Sequence, residues 1–143
     1  MSCFHFEYLS LLTNSIDGPS SVWSDAVLHI LQMFAERGAP SPKTREWKGR
    51  WWDLMRTLDF VPMGDRVMVG DPGLPVPFRD ASEITVTSRD QGTIRMAPGL
   101  GSFGEEARLV RGTNGLVREV WLGGTRLSTM NRAAAELKKK YGP

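Results

Sequence analysis

The sequence predicts an α+β protein, mainly antiparallel β: a meander curled into a lipocalin-like barrel or half-barrel, with an N-terminal amphipathic helix and a short C-terminal helix. Three observations predict it. From Trp47 to Thr129 apolar residues recur with a period of two, broken every few residues by turn signals. Between Ser20 and Arg37 the period is helical instead. From Asn131 the chain reads NRAAAELKKKY, a composition of strong helix formers.

The elements follow in order. Residues 1–19 hold EYLSLLTNSIDG (7–18), a short apolar run ending in a turn. A targeting segment is not expected there: nothing before Leu9 is basic, and Glu7 interrupts the apolar stretch. It is expected instead as a strand pairing weakly at a sheet edge. Residues 20–44 form the amphipathic helix and a Pro-containing connection. Ser20 and Ser21 can cap it, and Ser24-Asp25 are expected to place acceptors and negative charge in its first turn. Trp23, Val27, Ile30 and Phe34 recur at i, i+4, i+7 and i+11, and Ala26, Leu31 and Met33 widen the stripe. Arg37-Gly38 closes it, with Pro40 and Pro42 beyond.

Residues 45–129 are expected to be the barrel. WKGRWWDLMRTLDFVPM, RVMVGD, EITVTS, TIRMAP, EARLVRG, LVREVWL and TRLST alternate between apolar and polar. Gly64-Asp65, Asn114-Gly115 and Gly123-Gly124 lie between them, and such pairs mark hairpins because type I′ turns need positive φ. This spacing gives six to eight short strands. Residues 130–143 complete the chain as a helix with Asn131 as cap. Its lysines, Lys138 to Lys140, suit the negative end of the helix dipole.

Composition narrows the function. A chain of 143 residues with net charge +2 fits one globular domain. With Cys3 the single cysteine, and His5 and His29 the two histidines, neither a disulfide framework nor a Cys/His metal site is expected. No cofactor is expected. No apolar run approaches the ~20 residues of a membrane span, and the expected location is cytoplasmic. A membrane is therefore not an expected partner, and neither is nucleic acid, because no aromatic residues interleave with a basic stripe.

Catalytic motifs are recognisable by their spacing. No serine is followed by lysine three positions on, and no Gly-x-Ser-x-Gly occurs, so a nucleophile with its base is missing. Residues 99–104 (GLGSFG) match G-x-G-x-x-G, but between two expected strands they form a hairpin loop rather than a dinucleotide site. Asp53, Asp59, Asp65 and Asp71 suit turns better than an acid pair or a calcium loop. His29 is expected to be packed or at the surface, lacking partners for base catalysis. Trp47, Trp51, Trp52 and Trp121 carry two readings: core of the barrel and seat of the helix that holds Trp23, or an aromatic cup lining a ligand site.

The order of LLTNSIDG, a helix with VWSDAVLHIL, the REWKGRWWDLMRTLDFVPMGDRVMVGDP stretch and a final GLVREVWLGGTRLST resembles the C-terminal end of β-lactamase-related serine hydrolases, the class C/penicillin-binding-protein-like family. Leu12-Thr13-Asn14 matches a phrase that closes a core strand of the catalytic sheet in that family. Gly115, Val117, Leu122, Gly123, Gly124, Arg126 and Leu127 echo the ending of its appended β-domain. The family's Ser-x-x-Lys and Tyr-x-Asn elements are absent. The resemblance therefore implies a non-catalytic accessory domain, with residues 1–19 a strand remnant, packing against or shaping access to a hydrolase domain. The alternative is a stand-alone lipocalin-like binder of a small apolar ligand. A hydrolase catalytic domain, a second copy meeting at an exposed strand edge, or that apolar ligand are the expected partners.

Overall fold

A computed structural model describes residues 20–142 apart from 75, 77, 80 and 97–102. The expected strand at Tyr8 to Leu12 and the Leu12-Thr13-Asn14 phrase lie outside the described residues. Eight strands run in a meander: β1 (Gly49–Trp52), β2 (Thr57–Met63), β3 (Arg66–Gly70), β4 (Ser82–Val86), β5 (Gln91–Met96), β6 (Glu106–Arg111), β7 (Val117–Leu122) and β8 (Thr125–Ser128). Each pairs antiparallel with the next, and β1 meets β8 to close the barrel. The closing seam rests on one residue pair, Trp52 with Ser128. The α+β, mainly antiparallel expectation holds, and the barrel is closed rather than half-open.

Alternation fixes what lies inside. Leu58 and Phe60 of β2 point inward with Val67 and Val69 of β3, Ile84 and Val86 of β4, and Val120 and Leu122 of β7. The register pairs Phe60 with Val69 and Val67 with Ile84, so these side chains meet on one face. A slip of one residue would turn the whole set outward, so the buried face specifies the register. Trp47, from a 3₁₀ helix at Arg45–Trp47, belongs to the same interior cluster. Glu46 beside it pairs with Arg89 and Arg111, and Arg111 also binds Asp90. This network ties the 3₁₀ helix to the β4–β5 and β6–β7 turns across one barrel end.

The outward residues of β2 and β3 make a second, smaller core. Met63 and Met68, with Phe78 and Ala81, receive Met33 and Ile30 of α1 (Ser20–Arg37). Which face of α1 is seated differs from the expectation. Of the expected stripe, Ala26 and Met33 on its widened edge are buried and Ile30 packs on the sheet, whereas Trp23, Val27 and Phe34 point outward. Two polar anchors set this rotation. The His29 Nε2–H donates to the Phe78 carbonyl at 3.2 Å, and Arg37 pairs with the buried Glu83, which also holds Arg66. Small Ala26 and flexible Met33 allow close approach on that side. The helix seat is therefore Met63, Met68, Phe78 and Ala81, not the tryptophans.

Two details of the termini also change. Asp25 falls in the second turn of α1, whose first turn holds no acidic residue. At the C-terminus α2 spans Met130–Tyr141, so Asn131 lies inside its first turn and Thr129 takes the cap position. Gly38 ends α1 as expected, its N–H donating to the Phe34 carbonyl at 2.8 Å. The β2–β3 turn docks against this end: Gly64 N–H donates to the Gly38 carbonyl, and Thr44 Oγ1 donates to that of Gly64.

Candidate functional site

The site begins with two neighbouring residues. Trp51 points into the barrel and Trp52 points out, because successive strand side chains face opposite ways. Gly49 makes room for the inner ring: a Cβ there would sit 3.3 Å from Trp51 Nε1. Its φ of +145° is also one that a side chain disfavours. Trp51 Nε1 is buried and has no hydrogen-bond partner among the described residues.

The four tryptophans do not share one cup. Trp47 and Trp51 are interior, and the Trp47 indole N–H donates to the Arg89 carbonyl. Trp121 lies on the outer wall, with the Arg108 guanidinium 5.1 Å from its ring centroid. The register sets Arg108, Trp121 and Arg126 side by side across β6, β7 and β8. Basic and aromatic residues thus do interleave in space, though not along the chain.

Trp52 is the member that faces open space. It lines a groove of about 290 Å³ with Leu54, Met55, Arg126, Ala133 and Glu136. A second groove of about 460 Å³ lies on the other side of Trp52 and Met55, bounded by Arg50, Arg56 and Asp71. Asp53 shapes the ridge between them. Its Oδ1 accepts from the N–H groups of Met55 (2.6 Å) and Arg56 (2.8 Å), and this tight turn throws Leu54 and Met55 outward. Met55 is 90% exposed. Asp71 likewise holds a turn, accepting from the Gly73 N–H, while Asp59 pairs with Arg50 through both oxygens. The aspartates serve turns and an ion pair.

The far wall of the first groove is α2. Arg132 reaches the buried Glu119 of β7 at 2.8 Å, and Arg126 of β8 reaches Glu136 at 2.6 Å. Glu136 also accepts from Arg132, and that bond, with the charge of Arg126 behind it, holds its carboxyl below the usual range. Charges rather than burial tether this helix: none of its residues is buried. Among the described residues no three His, Cys, Asp or Glu gather as metal ligands. The arrangement offers apolar contact bordered by arginine–carboxylate pairs, the chemistry of recognition.

Residues 99–102 of the G-x-G-x-x-G match lie outside the described residues; β5 before them and β6 after them are antiparallel neighbours. Leu54, Met55 and the exposed residues of α2 escaped the sequence reading. An apolar pair inside a polar turn, DLMR, was the signal for the first two. No protein-family model matches this chain, and no curated protein matches it.

Proposed function

We propose that the chain is a non-catalytic accessory barrel, of the kind that packs against a serine-hydrolase domain and shapes access to it. The outward stripe of α1 carries this reading. Trp23 is 51% exposed and Phe34 48%, and Val27 lies between them on the same helical line. Single exposed apolar residues are ordinary on a protein surface, but a line of large ones marks a contact. The barrel's interior cluster and the outward stripe of α1 are separate surfaces, and the stripe is the one open to a second domain. The hydrolase identity of the partner rests on the likeness of Leu12-Thr13-Asn14 and of the Gly115 to Leu127 ending. That ending forms the β7–β8 hairpin.

The test starts from the reading frame around Met1 and the adjacent genes, searched for a Ser-x-x-Lys domain. That domain and this chain, purified separately, should co-sediment, and Trp23→Glu or Phe34→Glu should weaken the complex roughly tenfold or more. If no such domain is encoded there, or if binding ignores both substitutions, the reading is wrong.

One observation favours a second reading, a binder of a small apolar ligand. The buried Trp51 N–H lacks an acceptor, and an unsatisfied buried donor is costly enough to need a reason. A ligand carbonyl or hydroxyl would satisfy it. Titration of fatty and aromatic compounds should then shift tryptophan emission, and Trp51→Phe should abolish the shift; an unresponsive spectrum across the panel refutes this reading.

A further inference from the structure

We propose that α2 and the β1–β2 turn together form a surface that docks on an anionic lipid bilayer. The inference is independent of the α1 interface and uses another side of the barrel. At ~100° per residue, Met130, Ala134, Leu137 and Tyr141 fall within an arc of roughly 60°. All four are exposed: Met130 by 61% and Tyr141 by 67%. The tethers, Arg132 and Glu136, leave from a different side of the helix toward β7 and β8. The apolar stripe therefore points away from the barrel rather than into it.

The flanks identify the partner. Lys138 lies ~40° beyond one border of the stripe and Lys140 ~60° beyond the other. Among the described residues no ion pair engages Lys138, Lys139 or Lys140, and Lys140 rests over the Tyr141 ring at 5.2 Å. A one-sided apolar stripe bordered by lysines, with tyrosine at its end, is the pattern of a helix lying in the plane of a charged interface. The lysine stems extend the apolar area while their ammonium groups reach lipid phosphates and carboxylates. Leu54 and Met55 face the same groove as Ala133 and widen the apolar area beside the stripe. Among the described residues no helix is long and apolar enough to cross a membrane.

The experiment is sedimentation of the full chain with phosphatidylcholine vesicles, with and without phosphatidylserine, at low and high salt. Binding is expected to the serine-containing vesicles alone and to fall roughly tenfold or more at high salt, where screening shortens the reach of each charge. Leu137→Glu and Met55→Glu should each weaken it, and Lys138→Glu with Lys140→Glu should abolish it. Thermal midpoints should hold near that of the parent, since all four side chains are exposed. Equal binding to neutral vesicles, no binding to either, or binding indifferent to Leu137→Glu overturns the proposal. So does light scattering that shows a dimer dissolved by Leu137→Glu without vesicle binding, because a second copy would then occupy the stripe.

Discussion

The Trp47 indole N–H donates to the backbone carbonyl of Arg89 across 3.2 Å, joining the barrel's interior plug to the β4–β5 turn. The ring is fully buried, so it fills volume and satisfies an acceptor at once. Trp47→Phe keeps most of the packing and loses the bond, and should cost about 1–3 kcal/mol. Trp47→Ala leaves a cavity as well and should cost about 3–5 kcal/mol. Urea unfolding monitored by far-UV circular dichroism separates the two; a Trp47→Phe variant as stable as the parent would mean that the hydrogen bond contributes nothing.

At Gly64 the β2–β3 turn lies directly against the C-terminal end of α1. Its φ of +55° is left-handed, and a Cβ there would fall on the Arg37 carbonyl oxygen. Gly64→Ala should destabilise by about 2–3 kcal/mol, combining the left-handed cost with the displaced backbone. Hydrogen exchange should locate the damage, with α1 losing protection while Val120 and Leu122 keep theirs. An unaffected α1 would show that the turn does not hold the helix.

Glu46 accepts hydrogen bonds from Arg89 and Arg111, and these, in that order, bring its carboxyl down to about 2. A folded value below the unfolded one means that the unfolded chain binds the extra proton, so stability rises with pH through that window. The contribution is fully present above the ordinary carboxylate value of about 4.3 and disappears as pH falls toward 2. The thermal midpoint of Glu46→Gln should therefore lie below the parent's at neutral pH and converge with it in acid. A gap that stays constant to low pH would show that the clamp is not ionic.

The tryptophans divide by exposure, which a quencher can read. Iodide should quench Trp23 strongly and Trp52 and Trp121 partly, and leave Trp47 and Trp51 dark to it. Trp23→Phe should therefore remove the most accessible fraction of the emission. A uniform Stern–Volmer response would contradict the inside–outside division of Trp51 and Trp52.

Much of the fold was legible because the barrel's rules are local. Alternation and turn signals give six to eight strands, although the run that holds β1 and β2 is undivided until the Asp53 turn splits it, and Trp51 next to Trp52 must face opposite ways on any strand. Closure was not legible, since the seam joins Trp52 to Ser128 from opposite ends of the β-region. Nor was the seated face of α1. By side-chain size alone Trp23 and Phe34 outrank Ala26 and Met33, and the decision comes from Glu83 and the Phe78 carbonyl, far along the chain. The Arg108–Trp121–Arg126 row has the same origin, because it exists only through strand register. For the candidate site, Trp52 was named in advance, whereas its neighbours from the β1–β2 turn and α2 needed the fold to bring them together.

The most direct test of the accessory role is a kinetic titration. A hydrolase domain from the same frame or an adjacent gene is assayed on p-nitrophenyl esters with increasing amounts of this chain. The account predicts no saturable turnover by the barrel alone. It also predicts a kcat/KM of the hydrolase that changes to a plateau with added barrel, and loss of that change with Trp23→Glu. Saturable hydrolysis by the barrel itself, or hydrolase kinetics untouched by it, would contradict the account.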